Sequence, residues 1–416
     1  MLRELRRIAI AFFILSLPLA VRAQEAQQPE KIVFSGQLRE RTEFDDRHIN
    51  ADELVFIHYL RTRLRATAKP ATGFTVVAEV QDSRYLGQND PTQARGTTDI
   101  SADGLDMHQA WAQIERPFDL PIDLRIGRQE ITFGNERVIG VSNWSNTGRT
   151  FDGARATLHA TDLSVDLFGA RLAASSAGPI AAQHLYGLWA NWKPATTTSF
   201  DLFGLQDDNT TSIRRGEDSG KALLMRHSIG LTWKQTFGPI DMELEGIGQT
   251  GNTAPNDSAA QRSIKAFLGS AAVSVMLVPE SKTKLNLLAT TISGDGSAKD
   301  DKSETFNTVF GTNHKFYGIA DYVPELAGDR GLVDFMGGAS TSPSKELKLA
   351  LEGHLLLPQR GPDSFGNEFN ITAAWRAATP FELSGGVAVF LPGEILKARV
   401  GDSTRYWAYI AGLWEF

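Results

Sequence analysis

The chain has 416 residues, of which 42% are apolar, with 42 Lys and Arg against 49 Asp and Glu and no Cys. The absence of Cys excludes a disulfide framework and a thiolate metal site, and the acidic balance argues against a nucleic-acid partner bound through phosphate neutralisation. The mean hydropathy is −0.21, and no segment approaches the ~20 continuous apolar residues of a membrane helix, so hydropathy alone would class the chain as soluble.

The N-terminus has the pattern of a secretory signal peptide over residues 1–23. Arginines precede an apolar stretch at residues 8–20, and Val21-Arg22-Ala23 supplies small residues at the cleavage positions. A retained helical anchor is the alternative, but residues 8–20 are short for a membrane span. We therefore expect export and a single mature domain over residues 24–416.

From Lys31 onward the sequence alternates apolar and polar residues with a period of two, which predicts β-strands. An antiparallel sandwich would show the same alternation as a barrel, so the period alone does not separate the two architectures. The alternation predicts eighteen strands, near residues 31–44, 54–69, 73–85, 105–116, 121–132, 149–160, 162–173, 183–193, 197–206, 226–237, 239–250, 264–277, 281–293, 328–340, 345–357, 366–377, 380–391 and 404–416.

The connections between these strands alternate between short and long. Most short connections contain a proline, as at Pro117 and Pro239, and proline fixes a turn because it cannot continue a ladder. Long polar connections include residues 86–104, 133–148, 207–225 and 294–327. An even strand count with short turns at one end and long loops at the other is typical of bacterial outer-membrane barrels. We therefore predict an all-β, transmembrane antiparallel β-barrel in the bacterial outer membrane.

Two groups of local motifs add to this architecture. The first is Ile126-Gly127-Arg128-Gln129, followed by Asn143-Trp144-Ser145-Asn146 and Gly148-Arg149-Thr150-Phe151-Asp152-Gly153. The second is Thr305-Phe306-Asn307, Phe310-Gly311-Thr312, His314-Lys315-Phe316-Tyr317-Gly318 and Asp321. With the early arginine-rich strands, these motifs resemble the alginate export family of outer-membrane porins over most of residues 32–416. The resemblance implies an eighteen-stranded barrel with a narrow, positively charged lumen that conducts an anionic polyuronate.

If the apolar face of each strand points to lipid, the opposite face points to the lumen. This parity places a stripe of cations inside, densest on the first two strands, and arginine suits a chain of carboxylates because it stays charged and offers paired donors. Inward acids such as Glu79 and Glu368 would neutralise part of this field by pairing. The predicted lumen cations are Arg39, Arg41, Arg61, Arg63, Arg65, Arg125, Arg155, Lys348 and Arg376.

A second set of candidate residues lies in the family-like motifs, at the mouth of the predicted barrel. Arg128 and Arg149 would either line the mouth or brace the 133–148 loop. The 294–327 loop is long enough to be ordered, either folded over or into the mouth or forming an external lid. The complete set is Arg128, Gln129, Arg149, Asp152, His314, Lys315 and Tyr317.

No sequence pattern of a hydrolase, zinc protease or P-loop enzyme occurs, so we expect neither catalysis nor a metal or cofactor. A barrel that served only as an adhesin or structural element would not need arginines stacked inside it. The sequence therefore predicts a passive channel for an anionic polysaccharide such as alginate, surrounded by outer-membrane lipid and served by periplasmic export or uptake partners. A porin of broader specificity for anions or oligosaccharides is the alternative.

Overall fold

The computed structural model describes most of residues 32–416. It covers residues 32–46, 55–86, 105–172, 183–209, 212–215, 218–221, 223–254, 261–297, 300–323, 325–377 and 380–416. The predicted signal peptide and nearly all of the predicted 86–104 loop lie outside the described residues. Within those residues, no helix is long and apolar enough to cross a membrane.

Eighteen antiparallel strands form one closed barrel, as predicted. Strands adjacent in the chain pair with one another, and β18 returns to pair with β1, where Arg39 lies opposite Leu413. The strands are β1 Val33–Asp45, β2 Val55–Ala71, β3 Phe74–Leu86, β4 Asp106–Glu115, β5 Ile122–Gln129, β6 Phe151–His159, β7 Leu163–Leu172, β8 Gln183–Ala195, β9 Thr198–Asn209, β10 Leu223–Phe237, β11 Ile240–Ala254, β12 Arg262–Val278, β13 Thr283–Ile292, β14 Leu332–Thr341, β15 Leu347–Leu357, β16 Gly366–Arg376, β17 Phe381–Pro392 and β18 Arg405–Glu415.

Short elements outside the barrel wall lie in the connections. Ser212–Arg215 and Asp218–Lys221 form a small hairpin between β9 and β10, and Lys302–Ser303 adds a parallel pair beside β12. Helix α1, Glu394–Val400, precedes β18. Single 3₁₀ turns occur at Pro117–Asp119, Asn313–Lys315 and Glu325–Arg330.

Alternation along each strand sorts the side chains between lipid and lumen. On β16, Phe369 and Ile371 are 50% and 61% exposed, whereas Glu368 and Asn370 are 0% and 1% exposed. The barrel thus presents an apolar outer face, as a membrane-spanning strand must when its backbone bonds are satisfied by its neighbours.

Two long connections fold into the barrel. Loop L3, residues 130–150, joins β5 to β6, and loop L7, residues 293–331, joins β13 to β14. Their backbones meet in a parallel bridge between Ile139 and Phe310, with the Gly140 N–H donating to the Phe310 carbonyl at 2.9 Å. Ile139 and Phe310 are 0% and 3% exposed, so these loops lie inside the lumen and do not form an external lid.

The loops turn the loop-side half of the lumen into a packed core. Phe133 of L3 stacks on Phe168 and on Trp189, each at 5.1 Å between ring centroids, and Tyr322 of L7 stacks on Phe390 at 4.2 Å. Every strand contributes at least one buried inner side chain. These include Arg41, Tyr59, Ser83, Gln109, Gln129, Phe151, Phe168, Leu185, Phe203, Ser228, Ile247, Leu268, Ile292, Leu332, Leu356, Glu368, Phe390 and Trp407.

Replacing a lipid-facing side chain by a charge should destabilise the barrel. Leu287 on β13 is 64% exposed on the outer face, and Leu287→Arg should cost about 2–4 kcal/mol near the bilayer midplane. Lys284→Arg on the same strand is the control, because Lys284 faces inward and pairs with Asp241 at 2.6 Å. Guanidinium unfolding in lipid vesicles measures both, and equal stability of the two variants would contradict the assigned faces.

Candidate functional site: the loop-filled lumen

Wall arginines hold L3 by hydrogen bonds to its backbone. Arg39 donates to the carbonyl of Asn143 at 2.7 Å and to that of Ser145 at 3.0 Å. Arg61 donates to the same two carbonyls at 3.3 Å and 3.1 Å. Arg39 on β1 and Arg61 on β2 are direct partners in the strand register. Two like charges are therefore kept side by side by the same pair of carbonyls.

Arg41 is held between two aromatic rings and links the wall to both loops. Its guanidinium carbon lies 4.6 Å from the Tyr59 ring centroid and 4.1 Å from that of Trp144. It also donates to the Trp144 carbonyl, and its Nε lies 2.9 Å from Oε1 of Glu43. Trp144 in turn stacks on His314 of L7 at 4.1 Å. Cation–π contacts of this kind gain strength when desolvated.

The beginning of L3 is fixed by a cluster of charged side chains. Arg63 donates to Gln81 at 2.6 Å and lies 3.4 Å from Glu130, and Nε2 of His108 lies 2.9 Å from Glu130. Burial alone would raise the pKa of Glu130, but the His108 hydrogen bond and the Arg63 charge outweigh it, and the pKa is lowered. Glu130 is therefore a carboxylate at neutral pH.

Four predicted lumen arginines are covered by L3. Arg39, Arg41, Arg61 and Arg63 point inward but are only 8%, 1%, 1% and 7% exposed. The densest part of the predicted stripe of cations is therefore not open to the lumen, because L3 lies between these arginines and the centre of the barrel. They hold a loop in the lumen.

Arg149 braces the contact between the two loops. It donates to the Gly140 carbonyl at 3.0 Å, to the Phe310 carbonyl and to the Gly311 carbonyl at 3.4 Å. Burial lowers the pKa of Arg149 to about 10, which leaves it charged at neutral pH. Of its two expected roles, bracing the loop is the one that its contacts support.

Charged side chains of L7 complete this contact. Lys315 pairs with Glu136 of L3, and Thr312 donates to the same carboxylate at 2.6 Å. His314 lies 2.7 Å from Asp321 within L7. The Lys315 side chain is 51% exposed, so a cation reaches open space at the junction of the loops.

Arg137 is a central residue that the sequence reasoning did not single out. It donates to Glu245 on β11 at 3.0 Å and to the Tyr317 hydroxyl at 3.1 Å, and its guanidinium lies 3.6 Å from the Phe316 ring centroid. Tyr317 is 0% exposed, and burial raises its pKa. The apolar pair that follows Arg137, Val138-Ile139, is the sequence signal that this stretch is not a solvated loop.

The remaining predicted lumen cations lie towards the short-turn end, where they keep contact with solvent. Arg125 donates to Gln113 at 2.8 Å and lies 4.1 Å above the Trp111 ring. Lys348 is exposed, and no carboxylate lies within ion-pair distance of it in the described part of the chain. Three cations pair with wall acids: Arg65 with Glu79 at 2.6 Å, Arg155 with Asp166 at 2.7 Å and Arg376 with Glu382 at 2.7 Å.

Arg128 and Asp152 belong to the outer face of the barrel. Arg128 shares the parity of Ile126, which is 66% exposed, and its Nε lies 2.8 Å from Oδ1 of Asp152. This pair therefore neither lines the mouth nor braces L3, which corrects both expectations for Arg128. Gln129, the next residue, is fully buried on the inner wall, with its amide 3.3 Å from the Gly153 carbonyl.

Loosening L3 should widen the lumen. Arg61→Met keeps the length of the side chain but removes one of the two arginines that donate to the Asn143 and Ser145 carbonyls, at a cost of about 1–3 kcal/mol. We expect a higher single-channel conductance and faster proteolysis within residues 134–147. Arg65→Met on the same stripe is the control, because Arg65 pairs with Glu79 on β3. Equal conductance of the two variants would show that Arg61 does not hold the loop.

Comparison with known proteins agrees with this architecture. The model of the alginate export family matches residues 30–356, while no curated protein sequence matches the chain. Similar solved barrels are Acinetobacter baumannii OccAB4, at 9% identity and a TM-score of 0.64 over 94% of this chain and 99% of that one, and Pseudomonas aeruginosa OpdO, at 13% and 0.63 over 93% and 97%. Pseudomonas aeruginosa OpdK with vanillate follows, at 10% and 0.62 over 92% and 98%. The chain belongs to the alginate export family and is a porin-type β-barrel of the bacterial outer membrane.

Proposed function

We propose that this protein is a passive outer-membrane channel for an anionic polysaccharide or oligosaccharide, with an alginate-like polyuronate as the leading substrate. Family membership supports a role in polysaccharide transport. The cations near the short-turn end of the lumen support an anionic solute. An enzyme is not proposed, because the inner side chains act as anchors of loops and as wall charges.

One observation carries the choice of an anion. Arg125 and Arg155 are direct register partners on β5 and β6 and face the lumen together. Like charges directly opposite each other on a sheet are unfavourable. Asp166 pairs with Arg155 at 2.7 Å. Arg125 contacts the Gln113 amide and the Trp111 ring, and among the described residues no carboxylate lies within ion-pair distance of it, although Asp123 and Asp166 are near enough to act on its charge. A passing carboxylate between the two guanidinium groups would relieve the repulsion.

A polyuronate fits this wall because it carries one carboxylate on every sugar. Transient sites on the lumen wall can then pass the chain from one carboxylate to the next, provided that each site binds weakly enough to release. The acids that pair with Arg65, Arg155 and Arg376 keep those sites weak. The ion pairs therefore favour passage over retention.

A porin of broader specificity for anions or oligosaccharides is the second candidate. The buried inner face at L3 and L7 favours it, because a lumen filled by two loops suits small solutes better than a polymer. OpdK, which shares the fold, was solved with vanillate. The two candidates differ in whether current block depends on the length of the uronate chain.

Neutralising one of the facing arginines should weaken anion selectivity. Arg125→Gln removes a charge worth about 1 kcal/mol at 4 Å in water, so block of the current by oligomannuronate should weaken about fivefold. Reversal potentials in planar bilayers should shift towards cations. Arg128→Gln is the matched control, because Arg128 lies on the outer face with Asp152.

The same recordings decide the proposal. Cation preference in the wild-type channel, or no block by uronate oligomers, would overturn the anionic substrate. Block that does not depend on chain length would favour the broader porin.

A further inference from the structure

A basic, hydroxyl-rich cavity lies on the inner wall between β14 and β18. Its volume is about 420 Å³, within the ~300–1,000 Å³ range of small-molecule sites. It lies near the short turns, below the packed core made by L3 and L7. The residues that give it chemical character are Lys282, Ser340, Lys348, Thr372, Ser384 and Tyr409.

The hollow is produced by small inward residues in one cross-strand row. Ser340 pairs with Ala350, Ala350 with Thr372, Thr372 with Gly386, and Gly386 with Tyr409. Ala350 and Gly386 leave the middle of this row without bulky side chains. A Cβ atom on Gly386 would come within 2.6 Å of Cε1 of Tyr409, so glycine is what allows the Tyr409 ring to lie beside it.

The Tyr409 ring is fixed by its aromatic neighbours. It lies edge-on to Trp144 of L3 at 4.8 Å between ring centroids and 5.3 Å from Trp407. Ser384 is within hydrogen-bonding reach of its hydroxyl. A half-buried tyrosine held in this way offers a rigid apolar face with a polar edge, a surface on which the C–H face of a sugar ring can pack.

Hydroxyl groups form one wall of the cavity. Ser340, Thr341, Ser342, Thr372 and Ser384 line it. The Ser340 hydroxyl accepts from the Asn286 amide at 3.2 Å, and the Thr341 hydroxyl, at the end of β14, lies 2.8 Å from that of Thr283. Neighbouring side chains thus hold the Ser340 and Thr341 hydroxyls in place. They can both donate to and accept from sugar hydroxyls.

Both charged side chains that line the cavity are lysines. Lys282 and Lys348 line it, both are exposed, and no described acid lines it. Glu352 also faces inward on β15, but it lies two residues beyond Ala350 along the strand and does not line the cavity. The cavity of about 650 Å³ on β8 to β12 differs, because there Lys234 pairs with Glu243 at 3.1 Å.

We propose that the cavity between β14 and β18 is a binding subsite for one carboxylate-bearing sugar residue of the transported chain. The sugar ring packs against Tyr409, its hydroxyls bond to Thr372 and Ser384, and its carboxylate lies between Lys282 and Lys348. The inference rests on the proposed function, and it adds a specific place where the substrate enters or leaves the lumen at the short-turn end.

The test compares block of the channel current by a mannuronate trimer with block by neutral mannotriose. In the double variant Lys282→Gln/Lys348→Gln we expect the dissociation constant for the mannuronate trimer to rise about tenfold, because two charge contacts of about 1 kcal/mol or less are lost. Tyr409→Leu should weaken block by the mannuronate trimer and block by mannotriose to the same extent. Lys193→Gln, a single exposed lysine on the opposite wall, is the control and should leave the constant unchanged.

The outcomes separate the subsite from the channel function. If wild-type current is blocked by the trimer but the double variant is blocked equally well, the subsite is wrong and the proposed function stands. If the trimer does not block the wild type, both fail. If Lys193→Gln loses as much affinity for the mannuronate trimer as the double variant does, the overall positive potential of the lumen, and not this cavity, holds the sugar. Heat-dependent gel mobility checks that each variant is a folded barrel.

Discussion

Buried hydrogen bonds from wall arginines to the backbone carbonyls of L3 are the interaction on which the interior of this barrel depends. A loop inside the lumen has no neighbouring strand to satisfy its carbonyls, and a buried carbonyl without a partner costs free energy. Arg39 and Arg61 supply those partners together, at 2.7–3.3 Å. Arginine suits this role because one side chain carries five donors in a rigid fork.

The anchored L3 then positions L7. Arg41 and Trp144 carry the contact from β1 to His314, and Arg137 carries it from L3 to Tyr317 and to Glu245 on the opposite wall. The two loops thus join separate parts of the barrel wall across the lumen. The strands therefore supply a scaffold, and the loops determine which solutes can pass through the lumen.

The sequence predicted the strands well because a barrel obeys a strict period of two and punctuates its turns with proline. The same parity put Arg61 and Arg155 on the inner face. It could not foresee that L3 covers Arg61, since loop placement depends on contacts between residues far apart in the chain. Arg128 was expected at the mouth or against L3 because a sequence motif beside a loop does not indicate which face of the strand its residues occupy. There the parity of Ile126, extended by two residues, was the better guide.

The mean hydropathy wrongly suggests a soluble protein for a related reason. Half of each strand faces lipid and half faces a lumen that is polar near the turns and packed with aromatic rings near the loops. Averaging over both faces gives the value of a soluble protein. The acidic total is equally uninformative about the solute. Arg65, Arg155 and Arg376 pair locally with wall acids, whereas Arg125 and Lys348 have no carboxylate within ion-pair distance in the part of the chain that the structure describes.

L3 and L7 meet inside the barrel, and a disulfide tests this contact directly in a chain without native Cys. Ile139 and Phe310 are bridge partners, and cysteines at bridge spacing satisfy disulfide geometry. We expect the pair Ile139→Cys/Phe310→Cys to cross-link nearly completely in the outer membrane with unchanged conductance. The pair Ile139→Cys/Leu287→Cys, with one cysteine on the outer face, should not cross-link. Absence of a cross-link in the first pair, or a conductance that changes on oxidation, would contradict a meeting of L3 and L7 inside the lumen.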